Sequence, residues 1–205
     1  MRLALVAIMQ DEAALIQRWW SGVTAVRGQP FAEVVVVDGG STDNTRAELA
    51  ALAYSNGRQP VRVVSHAFTG DFAAQRNFAV DQSSCDWVFE LDADEVPGHA
   101  LLAGLRRIME NAHSAGIDAV GIPRLNFHDG VLQAGVGHCG LDFQYRLHRR
   151  ACRWDKAVHE EVVGYCARVE LELVHGHFIQ HLKSTDRHLA RNQIYSQIAA
   201  GVYHG

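Results

Sequence analysis

Glu33-Val34-Val35-Val36-Val37-Asp38-Gly39-Gly40-Ser41-Thr42-Asp43 reads as a buried strand that runs into a tight turn. Four successive β-branched apolar residues leave no polar face, as a strand covered on both sides of a sheet requires. The turn that follows is rich in cap residues, and Thr45-Arg46-Ala47-Glu48 has the pattern of a capping box for a helix. Upstream, Leu3 to Met9 is another nearly continuous apolar run, and Asp11 to Val26 has helical periodicity, with Leu15, Trp19, Gly22, Val23 and Val26 on one face. Downstream, Val61 to Ser65 predicts a third strand, Phe72 to Gln82 a third helix, Trp87 to Leu91 a fourth strand and Pro97 to Ala115 a fourth helix. This alternation implies an α/β fold with a mostly parallel sheet flanked by helices.

After residue 116 the rhythm changes. Ala119 to Phe127, Phe143 to Leu147 and Val169 to Val174 read as strands between irregular loops, and Ser184 to about Val202 reads as a helix with Ala190, Ile194, Ile198 and Val202 four apart. No repeat, low-complexity tract or linker divides the chain. The expectation is one domain over 1–205, with a nucleotide-binding half to about 116 and a smaller mixed β/α acceptor-side half from about 117.

The 205 residues are 48% hydrophobic and 20% charged, the balance of an ordinary globular chain. A net charge of -4 argues against a nucleic-acid partner, which requires a basic face. No apolar run reaches the length of a membrane span. The apolar N-terminus lacks a small-residue cleavage site and reads as a first strand rather than a signal peptide. Cys85, Cys139, Cys152 and Cys166 show no metal or disulfide spacing and read as reduced thiols of a cytoplasmic protein. Of twelve histidines, nine follow residue 120, so metal-compatible side chains concentrate in the second half.

Ligands of open α/β sheets bind beyond the carboxyl ends of the strands. Gln10-Asp11-Glu12, Asp38-Gly39-Gly40-Ser41 and Asp92-Ala93-Asp94-Glu95 all fall there. Carboxylates gathered on one rim repel unless a cation compensates them. A hard divalent ion shared with ligand phosphates meets that need. The Asp-x-Asp spacing lets one carboxylate meet a metal while the other meets a ribose or a metal-bound water. A lone pair of this kind is ordinarily a solvated turn; here it follows an apolar strand and accompanies a second acidic strand end.

The sequence resembles the inverting glycosyltransferases of family 2, which have the GT-A fold. The resemblance rests on Val34 to Thr45, on Phe72-Ala73-Ala74-Gln75-Arg76-Asn77-Phe78-Ala79, on Trp87 to Glu95, and on Gln144 to Arg150 with Val158-His159-Glu160. Gln10-Asp11-Glu12 departs from the family's usual Asn-Glu-Glu. The fourth set, together with His177-Phe178, is similar to the branch that includes bacterial lipopolysaccharide-core glucosyltransferases.

The resemblance implies a nucleotide-sugar donor, with a UDP-hexose the first expectation, and Mn²⁺ or Mg²⁺ as cofactor. It places Asp11, Asp38, Gly40, Arg76 and Asp92 on the donor, and Asp94 on the metal. His177 is a candidate further metal ligand, since imidazole suits Mn²⁺; a hydrogen-bonded histidine is the plain alternative. Glu160 is the candidate general base that an inverting transfer needs, with Glu161, Glu95 and Asp142 as competitors. Arg146, Arg149 and Arg150 are candidates for phosphate contact or a solvated strand end. The acceptor would be a glycan or glycolipid, which adds peripheral contact with the inner membrane face to the expectation; the sequence does not give the oligomeric state. A sugar nucleotidyltransferase would need a glycine-rich basic loop at Met9-Gln10-Asp11-Glu12, and a dinucleotide enzyme would need GxGxxG there; neither is present. A nucleotide- or glycan-binding module without catalysis is the non-enzyme alternative.

Overall fold

The computed structural model describes residues 1–55, 61–135 and 140–203; Cys139 lies outside the described residues. Strands β1 (Leu3–Met9), β2 (Glu33–Asp38), β3 (Val61–Ser65) and β4 (Trp87–Glu90) are mutually parallel in the order β3-β2-β1-β4. Helices α1 (Ala13–Val23), α2 (Thr45–Ser55) and α3 (Phe72–Asp81) connect them. The chain leaves β1 toward one edge of the sheet and later returns to β4 on its other side. The C-terminal ends of β1 and β4 therefore flank a topological switch point.

Strand periodicity sorts the core onto two faces. Leu3, Leu5, Ala7, Val34, Val36, Trp87 and Phe89 pack with Ile16, Trp19 and Val23 of α1 and with Leu101, Leu102 and Leu105 of α4 (His99–Ser114). Ala4, Val6, Val35, Val37 and Val88 face the opposite way, onto Ala79 and Val80 of α3. Asp71 caps α3 by accepting from the Ala74 amide at 2.9 Å. The capping box expected at Thr45 does not form. The buried Thr45 hydroxyl accepts from the Glu12 amide at 2.7 Å, and the Glu48 amide donates to the Asn44 carbonyl.

Beyond β4 the sheet becomes mixed. Glu95–Pro97 forms a short strand, β5, where sequence periodicity suggested the start of a helix. Pro97 is accommodated because β5 is an edge strand, paired only with β12 (Ile179–Lys183). Strands β6 (Ala119–His128), β7 (Val131–Leu132), β8 (Leu141–Arg149) and β11 (Arg168–Glu170) complete the ten-stranded sheet, β8 running antiparallel to β4. Strands β9 (Arg153–Asp155) and β10 (Glu161–Val163) form a separate ribbon against α3. The final helix, α5 (Thr185–Ala199), has no buried residue, so the four-residue spacing of Ala190, Ile194 and Ile198 does not mark a core face.

Candidate active site

The turn after β4 brings the Asp-x-Asp pair to the switch point. The Asp92 amide donates to Glu95 Oε2 at 3.0 Å, and the Leu182 amide of β12 donates to the Asp94 carbonyl at 2.8 Å. Asp92 then lies between two arginines. Arg76 Nη2 of α3 reaches Asp92 Oδ1 at 2.8 Å, and Arg146 Nη2 of β8 reaches Oδ2 at 2.6 Å. Burial opposes ionisation of Asp92, but Arg146 and Arg76 hold its carboxyl well below the usual carboxylate range.

Arg76 joins the strand end to the ribbon. Its Nε donates to Glu160 Oε1 at 2.9 Å, its Nη1 lies 3.6 Å from Glu90 Oε2, and its guanidinium carbon stands 4.9 Å from the centroid of the Trp154 ring. The ribbon is seated by Asn77, whose amide donates to the Trp154 carbonyl at 2.8 Å and accepts from the Trp154 amide at 2.9 Å. Behind Arg76, buried Glu90 Oε1 is within hydrogen-bond distance of His148 Nε2, at 2.8 Å, and accepts from Trp154 Nε1.

The four acids weighed as the base now separate. Glu161 is exposed and pairs with Lys156 at 2.6 Å. Glu95 is fully buried and saturated by Arg124, Arg146 and the Asp92 amide. Both oxygens of Asp142 are held by the Nε–Nη2 edge of Arg124, at 2.9 and 2.6 Å. Glu160 is half-buried beside Arg76 and Asp92, and among the described residues it engages Arg76 through one oxygen. Of the basic run, Arg146 faces the site, Arg149 pairs with Asp118 at 3.0 Å and Arg150 is exposed.

Asp94 is buried, and its Oδ1 has no hydrogen-bond partner. The imidazole facing it belongs to His181, whose Nε2 lies 3.4 Å from Asp94 Oδ2. The ring of His177 lies against Gly104 of α4 instead, so the structure brings His181 to Asp94 where the sequence suggested His177. His181 Nδ1 sits 2.9 Å from Asn126 Oδ1, an acceptor that fixes the ring with Nε2 facing Asp94. A carboxylate and an imidazole nitrogen that face each other are groups that can share a cation. Among the described residues no cluster of three or more His, Cys, Asp or Glu converges on one point. A carboxylate and an imidazole, with ligand phosphates and water completing the shell, is the sparse donor set that Mg²⁺ and Mn²⁺ accept.

Asp38, at the end of β2, is buried; its Oδ1 accepts from the Ser41 hydroxyl, and Oδ2, without a hydrogen-bond partner among the described residues, lies 3.7 Å from Arg46 Nε. Gly40 follows with φ of 100°, in the left-handed region, and open space where a Cβ would stand. Asp11 is used internally, its Oδ1 accepting from the Thr42 amide at 2.7 Å and the Asp43 amide at 3.2 Å. It fastens the loop after β1 to the loop after β2. Sequence reasoning did not single out Glu12 as a site residue, nor Arg187 and Arg191 of α5. Arg187 pairs with Glu12, and Arg191 lies 3.5 Å from Glu12 Oε1 and 3.1 Å from Asp94 Oδ2.

No described helix is long and apolar enough to cross a membrane. Over 90 residues the chain is 37% identical to the lipopolysaccharide core biosynthesis glycosyltransferase LpsC of Rhizobium meliloti, a match covering 44% of this chain and 31% of that one. Over 94 residues it is 34% identical to a TPR repeat-containing protein of Synechococcus elongatus, covering 46% of this chain and 21% of that protein. Those matches thus span a third or less of each curated relative. In fold it is similar to S. aureus TarS 1–349 in complex with UDP, with a TM-score of 0.61 at 14% identity over 97% of this chain and 65% of that one. It is also similar to the mannosyltransferase PcManGT of Pyrobaculum calidifontis in complex with GDP-Man and Mn²⁺, with a TM-score of 0.51 at 22% identity, covering 59% and 35%. These likenesses bear out the expected GT-A architecture. The sequence profile described as glycosyl transferase family 2 matches residues 6–130, more than half of the chain, and the chain belongs to that family.

Proposed function

We propose that this chain transfers a glycosyl group, with inversion, from a nucleoside diphosphate sugar to a hydroxyl of a glycan or glycolipid acceptor. The observation that carries the reading is the single rim on which Asp92, Asp94, Arg76 and Glu160 meet at the switch point between β1 and β4. Asp38, buried at the end of β2, is suited to the nucleoside, and Arg76 and Asp92 to the ribose, diphosphate and donor sugar. Gly40 lets the backbone approach the nucleotide.

Asp94 and His181 would hold a divalent ion. When bound, that ion supplies Lewis-acid stabilisation of charge on the departing diphosphate. Glu160 takes the proton of the acceptor hydroxyl as its oxygen attacks the anomeric carbon. Arg76, ion-paired to Glu160, aims that carboxylate. The LpsC similarity favours a cell-envelope polysaccharide or lipopolysaccharide-core acceptor, met at the inner membrane face, and the TarS complex with UDP favours a uridine donor.

The test is hydrolysis and transfer across a panel of nucleotide sugars with Mn²⁺, for the wild type and Asp94→Asn. Turnover with one donor, lost in Asp94→Asn together with metal-dependent donor binding, supports the assignment. Full activity in that variant overturns the role of Asp94. Donor binding with no turnover on any donor or acceptor favours a binding module.

A further inference from the structure

Helix α5 lies on the body of the protein through one half-buried face, on which Arg187 and Arg191 make ion pairs. It buries no residue. Its N-terminal end is fixed by Asp129, whose carboxylate accepts from the Thr185 amide and hydroxyl. Beyond that anchor it meets the body through ion pairs of Arg187 and Arg191, ring contacts of His188 with His128 at 5.4 Å and of Tyr195 with Phe72 and His159 at 5.4 and 6.1 Å, and the half-buried Ile198 beside Gly70. The ion pairs fall at the mouth of the switch point, where Glu12 follows β1 and Asp94 follows β4. Arg191 spans the crevice between them. Two carboxylates there face two guanidiniums, the same positive charge that one divalent ion carries.

We propose that Arg191 is an internal stand-in cation, with α5 a cap closed over Asp94, and that donor binding moves Arg191 from Asp94 onto the diphosphate. The inference rests on the metal and diphosphate placement above. In the closed state Arg191 occupies Asp94 Oδ2 and leaves Oδ1 buried without a hydrogen-bond partner. A divalent ion arriving with a diphosphate displaces the guanidinium from Asp94. It also brings an anion that a planar, multidentate guanidinium binds well. No α5 side chain is fully buried, so a swing of α5 about Ser184 exchanges these ion pairs and gives up the half-buried contacts of Ile194, Tyr195 and Ile198 rather than core packing. Arg191 is thereby a positioning residue with two partners. Metal alone must compete with it, whereas metal plus nucleotide recruits it.

The experiment measures Mn²⁺ binding to the full chain by the loss of the free-ion electron paramagnetic resonance signal, without nucleotide and then with UDP. R191Q is expected to bind Mn²⁺ roughly fivefold more tightly than wild type without nucleotide, as the loss of one partly exposed ion pair predicts. The same variant is expected to bind UDP with Mn²⁺ more weakly, and R191K to stay near wild type in both. A residue that only holds the fold would weaken both measurements together. Mn²⁺ affinity in R191Q that is unchanged or reduced without nucleotide overturns the cap. D94N separates this from the parent reading. If D94N abolishes Mn²⁺ binding while R191Q leaves it unchanged, the metal site stands and the cap fails. If D94N retains Mn²⁺ binding, the metal placement fails, whatever R191Q does.

Discussion

Arg76 and Glu160 meet across 84 residues of sequence, Nε to Oε1 at 2.9 Å, while the same guanidinium holds Asp92. The acid proposed as base is thus tied through one cation to the carboxylate proposed to meet the donor. Glu160→Gln preserves shape and removes the proton acceptor. Turnover should fall by about a hundredfold or more, the usual contribution of general base catalysis. UDP affinity should stay at the wild-type level. Initial rates and a UDP titration check this; unchanged turnover removes Glu160 from the role.

Removing Arg76 should cost stability as well as activity. Arg76→Met strands Glu90, Asp92 and Glu160 around a cavity without its cation, and losing one partner of buried ion pairs costs about 3–5 kcal/mol. Arg76→Lys keeps the charge but lacks the fork that spans the partners, so its loss should be smaller. Urea unfolding of both variants measures the difference, and equal losses would show that the planar fork is immaterial.

His148 should make stability fall on the alkaline side. Burial pushes its imidazole down, but hydrogen bonds to Cys152 and Glu90 prevail and raise it from 6.5 to about 9. A folded pKa above the unfolded one contributes stability that is complete below 6.5 and disappears as pH rises through about 9. The melting temperature should therefore drop across that window, and His148→Gln should flatten the profile. A wild-type profile that is level there would refute the charged His148–Glu90 pair.

Gly98→Ala should weaken the start of α4. A Cβ at that position would stand 2.3 Å from the backbone oxygen of Gly176, where no flexible side chain can yield. Overpacking of this kind costs about 1–3 kcal/mol. Thermal melts of Gly98→Ala beside Gly104→Ala, whose nearest neighbour would be the His177 ring at 3.6 Å, isolate the clash from helix propensity. Equal melting temperatures would show that the Gly176 turn moves freely.

The parallel half was legible in the sequence because its strands are covered on both faces and read as unbroken apolar runs such as Val34 to Val37. The strands β5, β9 and β10 have three residues each, with charged or proline positions, and no periodicity can emerge over that length. The carboxylates at the strand ends were legible because topology alone brings them together. Their partners were not, because Arg191 reaches Asp94 across 97 residues from a helix on which no residue is fully buried. The choice between His177 and His181 depends on register: pairing of β12 with β6 sets His181 opposite Asn126, a relation absent from the local pattern.

The paired hydrogen bonds from Asn77 to Trp154 also bear on how the protein behaves in a crowded solution. On one side β9 is paired with β10; on the other, the Trp154 N–H and C=O would form the open edge of a two-stranded ribbon. Such an edge is a template for strand addition by a second chain. The Asn77 carboxamide presents the same donor and acceptor that a neighbouring strand would, and so closes the ribbon without another strand. The asparagine that seats the ribbon thus also covers the edge on which a further strand could add.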